Sequence, residues 1–220
     1  MLFRSPARIT LLKTTGREDL NLPYCRGPLI VFPENWLRRG ADLAGRILAH
    51  ELFYVFATAH PALRPELYAL LEFEPCEELT FPAKTDNRRL TNPDAPRYDY
   101  FTRLRLGERE IAVIPAMIAR TEHFDPAPPI NVFAQTEFRL LEIELKDGRA
   151  LGSLAADGTL RSHSAEALPD YRARMAQNTD YIWHPEEVLA DNFAHLLVPP
   201  KTPLANRELP ARLLRVMQKR

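Results

Sequence analysis

The chain has 220 residues, 45% of them hydrophobic, enough to bury one substantial core as a single domain or as a helical part carrying a β insertion. Twenty-nine basic residues balance twenty-nine acidic ones with no long like-charge block, which argues against nucleic acid or an anionic membrane as partner. Cys25 and Cys76 are too few for a disulfide framework and form no Cys-x-x-Cys pair, so two reduced thiols are expected. Arginine and proline break up Met1-Leu2-Phe3-Arg4-Ser5-Pro6-Ala7-Arg8 before a signal-peptide core can form, and no apolar run reaches membrane-spanning length, so the expected setting is cytoplasmic.

In chain order, Ala7 to Lys13 and Leu29-Ile30-Val31-Phe32 read as short strands of a small sheet before the first long helix. From about Asp42 to Ala59 the pattern is helical. Leu43, Ile47 and Tyr54 share the stripe of His50, while Leu48, Leu52, Val55 and Ala59 lie opposite, which predicts a central helix that is apolar on both faces. His60-Pro61 ends it, and Pro61 to Leu71 restarts as a shorter helix. Thr91-Asn92-Pro93-Asp94-Ala95-Pro96 is dense in turn formers and reads as an ordered loop. Tyr98–Leu106 and Glu110–Ala119 flank Gly107-Glu108, and Val132–Lys146 leads through Asp147-Gly148 into Ala150–Leu154, a pattern of two antiparallel hairpins. Beyond Ser164 the character is helical again. His184-Pro185-Glu186-Glu187 opens a helix that runs to about Leu197, Val198-Pro199-Pro200 stops it, and a basic amphipathic helix from about Asn206 closes the chain.

The chemistry concentrates in the two longer helices. His50-Glu51-Leu52-Phe53-Tyr54 is one residue away from the His-Glu-x-x-His helix of zinc peptidases. Residues four apart project from one face, so His50 and Tyr54 share a stripe and Glu51 stands beside the pocket they frame. A hydrolytic zinc needs three protein ligands and an open position. Glu187, followed four residues later by Asp191, fits the Glu-x-x-Ala/Ser-Asp pattern in which the glutamate binds the metal and the aspartate supports the histidine through its other ring nitrogen. On a helix apolar all round, His50 and Glu51 need partners, and a metal with Glu187 and Asp191 supplies them. Taken alone, Glu186, Glu187 and Asp191 would read as favourable first-turn and surface charge. Tyr181, His123 and Tyr100 are candidates for stabilising an oxyanion, with no spacing to separate them from one another.

These segments resemble a group of bacterial zinc metallopeptidases. The likeness is carried in order over residues 40–200 by His50-Glu51-Leu52-Phe53, Pro61 to Leu70, Thr91 to Pro96, and His184-Pro185-Glu186-Glu187-Val188-Leu189-Ala190-Asp191-Asn192-Phe193. The resemblance implies an α+β, zincin-like domain over residues 1–220, with a central active-site helix, a second ligand-bearing helix and an antiparallel sheet inserted at about 97–155. It implies peptide-bond hydrolysis of a peptide or protein substrate, with Zn2+ on His50 and Glu187, Glu51 as the base and Asp191 behind His50. It also implies a histidine where this chain has Tyr54.

Three readings of Tyr54 stand at this point. Tyrosinate ligation requires the metal to pull a phenol down by about three pKa units from near 10. Alternatively another histidine moves in, from among His60, His123, His163, His184 and His195. His60 has the metzincin spacing of ten from His50, but Ala57 stands at the glycine position, and the placement before Pro61 reads as a surface helix terminus. The third reading is a disabled site, in which the scaffold serves as a catalytically inactive peptide- or protein-binding module.

Overall fold

The computed structural model describes residues 6–82, 87–92, 95–123, 125 and 131–219. The start read above (Met1 to Ser5) and Pro93-Asp94 of the turn-rich loop lie outside the described residues. The fold is mixed α+β, with seven α-helices among the described residues. In chain order the elements are β1 (Thr10–Thr14), β2 (Tyr24–Arg26), β3 (Leu29–Pro33), α1 (Glu34–Leu37), α2 (Ala41–Ala59), α3 (Arg64–Ala69), β4 (Phe73–Pro75), β5 (Arg89–Leu90), β6 (Tyr100–Leu106), β7 (Arg109–Ala119), α4 (Val132–Gln135), β8 (Thr136–Lys146), β9 (Arg149–Gly152), β10 (Ser162–His163), α5 (Pro169–Met175), α6 (Pro185–Leu197) and α7 (Glu208–Met217). They group into two compact units, one formed by residues 1–70, 176–181 and 185–220, the other by 71–175 and 182–184.

In the first unit β3 lies between β1, which runs parallel to it, and β2, which runs antiparallel. Ile30, Val31 and Phe32, which alternate between the two faces of β3, are all buried, whereas Leu11 and Leu12 on the outer strand are exposed, so the sheet is enclosed at its central strand and open at the β1 edge. Gly40 adopts φ 104° at the start of α2, a conformation that favours glycine over any residue with a Cβ. The expectation of a helix apolar and central along its whole length holds for its second half. Ala49, Glu51, Phe53, Tyr54, Val55, Phe56 and Ala57 are buried, but Leu43 in the first turns is exposed. Phe53 meets Phe193 of α6 with ring centroids 5.9 Å apart.

Pro185 in the first turn of α6 gives up no helical hydrogen bond, and Glu186 and Glu187 complement the positive end of the helix dipole. The helix is mostly buried, including Val188, Leu189, Phe193 and Ala194. The Asn206 side chain accepts from the Glu208 and Leu209 amides and so caps α7, whose Leu209, Leu213 and Val216 recur at helical spacing on a buried face.

The second unit is an antiparallel sheet in the order β10-β8-β7-β6-β4, with β5 also on β7 and β9 on β8. It takes in the β-rich stretch expected at 97–155 and extends beyond it at both ends. Gly107 and the pair Asp147-Gly148, all at positive φ, make the two tight turns that the sequence indicates. The strand expected over Val132–Lys146 starts at Thr136. Asn131 accepts from the Ala134 amide at 3.1 Å and diverts the first residues into the single turn of α4. Ala95 donates to the Asn92 carbonyl at 3.1 Å across the expected loop.

Candidate metal centre

Two helices each offer a pair of residues one turn apart, and the four side chains meet at one imidazole. On α2, the Tyr54 hydroxyl lies 2.9 Å from His50 Nε2. On α6, Glu187 Oε2 lies 3.3 Å from the same nitrogen, and Asp191 Oδ1 lies 2.9 Å from Nδ1. The i,i+4 spacing legible in the sequence is what makes this possible, because each helix presents both of its residues on one face. His50, Glu187, Tyr54 and Asp191 are therefore brought together as expected.

The second oxygen of Asp191 accepts from the Thr179 hydroxyl and faces Arg46 Nη2 at 3.9 Å. Asp191 is thus held from three directions. Arg46 stands one turn before His50 on α2, so helical spacing alone would have indicated it; Thr179 carried no sequence signal. The half-exposed Tyr181 ring lies at an edge angle to His50, with centroids 6.3 Å apart. Burial raises the Tyr181 pKa, and the charges of Asp191 and Glu187 raise it further.

Glu51 is 5% exposed and close enough to His50 and Glu187 to feel the charge of both. The Cys25 thiol on β2 lies 3.3 Å from Glu51 Oε2 and 3.2 Å from the Glu51 carbonyl, so its single proton is within reach of both acceptors. Burial pushes the Glu51 carboxyl up to about 7 against the opposing pull of the His50 charge and the Cys25 bond, with Glu187 adding to the rise. The Cys25 contact spans 26 residues and had no local signal. Burial acts to lower His50, but hydrogen bonds to Asp191 and Glu187, the Glu187 charge and that of Glu51 outweigh it and hold the imidazole up at about 10. Burial likewise works against ionised Asp191, yet the bond and charge of His50, the Thr179 hydroxyl and Arg46 keep its pKa below the ordinary value.

The surface reading of Glu186 is corrected by the structure. Glu186 is 1% exposed and accepts from the Tyr68 hydroxyl, and burial raises its carboxyl to about 7 against Arg64 and Tyr68. The helix is buried on nearly all sides, so the position next to Glu187 has no access to solvent.

The remaining histidines have other places. His60 ends α2 with its ring 4.8 Å from Phe56, which agrees with a helix terminus. His195 contacts the Asn178 carbonyl at 3.2 Å. His163 pairs with Glu142 at 2.8 Å within the second unit, to which His123 and His184 also belong, as does the candidate Tyr100. Among the described residues no group of three or more His, Cys, Asp or Glu side chains is arranged to hold a metal ion.

Zinc nonetheless suits part of the cluster. Two donors bound to a tetrahedral zinc at about 2.0–2.1 Å stand roughly 3.3–3.4 Å apart, and His50 Nε2 and Glu187 Oε2 are 3.3 Å apart. Asp191 on Nδ1 matches the carboxylate that fixes a ligating histidine in zinc sites. The third donor within reach is the phenol of Tyr54. The residues fit a three-donor site on condition that Tyr54 is one of the donors.

Compared with family models, curated proteins and solved structures, the chain matches none. Among the described residues no helix is long and apolar enough to cross a membrane.

Proposed function

We propose that the first unit carries a zincin-like site and that the protein is a zinc-dependent peptide hydrolase whose hold on zinc is weakened by Tyr54. The observation that carries this reading is the single imidazole of His50 with Glu187 and Tyr54 at one nitrogen and Asp191 at the other. His50 and Glu187 would hold the ion, with Tyr54 beside them. When bound, zinc supplies Lewis acidity, lowering the pKa of water toward neutrality and polarising a carbonyl. Asp191, fixed by Thr179 and Arg46, keeps the His50 ring oriented. Glu51, held near 7 by burial, is suited to take a proton at its carboxylate and return it to the leaving amine of a peptide or protein substrate. The spacing of His50-Glu51 and of Glu187 with Asp191 in the sequence supports the same assignment, and the unbridged thiols of Cys25 and Cys76 support a cytoplasmic setting.

A second reading has its own observation. The Tyr54 hydroxyl already bonds the nitrogen that would face the metal, so the cluster is satisfied internally, as expected of a non-catalytic protein that binds peptides on an inherited scaffold. Hydrolysis of a mixed peptide library with zinc added, by the native chain, Glu51→Gln and Tyr54→His, separates the two. A hydrolase gives slow cleavage by the native chain, more by Tyr54→His and none by Glu51→Gln. Cleavage by none of the three leaves the binding module.

A further inference from the structure

We infer that the second unit holds a binding site for a small monocarboxylate, its charge taken by Arg88 and Arg139 and its apolar body resting on the core of that unit. The site lies wholly within residues 71–175 and does not depend on the metal reading. Side chains alternate along β8, so Glu137, Arg139 and Leu141 project from one face, and Leu141 joins Ile118 in the core on that face. An arginine on the core side of a strand calls for a partner. Here the core gives way to a cavity of about 260 Å³ with Ile118, Leu141 and Leu160 in its apolar lining and Arg88, Arg139, Glu137 and Ser162 in its polar lining.

Charge sets the class of ligand. Glu137 faces Arg120 at 3.9 Å, and among the described residues neither Arg88 nor Arg139 has a carboxylate within ion-pair distance. Two arginines against one glutamate give the cavity one net positive charge, which a monoanion neutralises and a phosphate dianion overshoots. Arg139 is engaged along one edge only. Its Nε donates to Ser162 Oγ and its Nη2 to the Ser162 carbonyl, both at 3.1 Å. That leaves Nη1 and the second proton of Nη2 as a fork for the two oxygens of a carboxylate. The Ser162 hydroxyl, having accepted from Arg139, keeps its own proton to donate. The wall formed by Gly158 and Thr159 is set beforehand, because Asp157 Oδ1 accepts from the Thr159 amide at 3.0 Å and from its hydroxyl at 2.6 Å. Sites for drug-sized ligands run to about 300–1,000 Å³, so this cavity suits a branched acid of about six carbons or the last residue of a peptide, which present the same chemistry. An Arg139 that served only to tie β10 to β8 through Ser162 would leave Arg88 without a function.

The test titrates isocaproate into the isotope-labelled full chain and follows backbone amide shifts by NMR, for the native protein, Arg88→Met and Arg139→Lys, with circular dichroism to check folding. The expected result is saturable shifts at Leu141, Leu160 and Ser162 in the native chain and binding about 10–100-fold weaker in each variant, the loss typical of a hydrogen bond to a charged group. Arg88 makes no side-chain bond to another described residue, so Arg88→Met keeps the test decisive even if Arg139→Lys fails to fold. Isocaproamide, with the shape but not the charge, and acetate, with the charge but not the apolar body, should each bind at least about 10-fold more weakly. A leucine-terminated tetrapeptide that binds more tightly than isocaproate, and loses binding on amidation, identifies a peptide C-terminus as the source; weaker binding identifies a free acid, and either supports the site. No saturable shift at about 10 mM isocaproate, native affinity in folded Arg88→Met, or tighter binding of inorganic phosphate overturns the inference. Its failure leaves the metal centre of the first unit untouched.

Discussion

Tyr54→His should reverse the order of stability between two solutions that differ only in zinc. In chelator the substitution removes the bond from phenol to His50 Nε2 at 2.9 Å and the edge contact with Phe53, both at a position 3% exposed. A net hydrogen bond contributes about 0.5–1.5 kcal/mol, and an aromatic edge contact about 0.5–1.5 kcal/mol beyond its area. The smaller imidazole recovers part of each, leaving a loss of roughly 1 kcal/mol, or about 2–4 °C in Tm for a chain of this size. With zinc at about a thousand times its Kd, binding to the folded state adds about 4 kcal/mol, which exceeds the loss. The variant should melt below the native chain in EDTA and above it in zinc, as read by differential scanning fluorimetry across a zinc series. Parallel curves at every zinc concentration would refute the placement of residue 54 beside the metal.

Asp191→Asn should weaken zinc binding by about 10–100-fold, because the support of Nδ1 is lost, and should cost about 1.5–3 kcal/mol in urea melts of the chelated protein, as a bond to a charged group is removed. In chelated native protein, His50, held up at about 10, should remain protonated at pH 8 by NMR. The sign follows from that elevation: its contribution is complete below the unfolded value of 6.5 and is lost as pH rises through about 10, so the stability gap to His50→Gln should narrow across that window and stay constant below it. Burial, aided by the Asp99 charge, raises the Cys76 thiol to about 11, and Cys25 is 2% exposed. Both thiols should resist alkylation at pH 8 in the folded chain and react together in denaturant; one rapidly labelled thiol under native conditions would contradict the placement of that residue.

What the sequence disclosed and what it withheld divide along local and non-local physics. The tight turns at Gly107 and Asp147-Gly148, the proline-led start of α6 and the shared faces of His50 with Tyr54 and Glu187 with Asp191 all depend on residues within a few positions of one another, and all are legible. The short strands β4, β5 and β10 exist only because a neighbouring strand pairs with them, and two- or three-residue runs such as Arg89–Leu90 carry no period of their own. Within the site, the partners of Asp191 and Glu51 are the part that was missed. Thr179 and Cys25 reach those carboxylates from loops and strands whose positions are set by packing. The burial of Glu186 was hidden for a similar reason: a carboxylate in the first turn of a helix looks like dipole compensation until the helix is seen enclosed on nearly every side.

The most direct measurement is the metal content, by elemental analysis after zinc loading and desalting, of the native chain and of Tyr54→His, each beside its Glu187→Gln counterpart. The account predicts weak, substoichiometric zinc on the native chain and close to one zinc per chain on Tyr54→His, with both lost when Glu187 is replaced. Zinc retained equally with and without Glu187, or absent from Tyr54→His, would contradict a metal centre at His50.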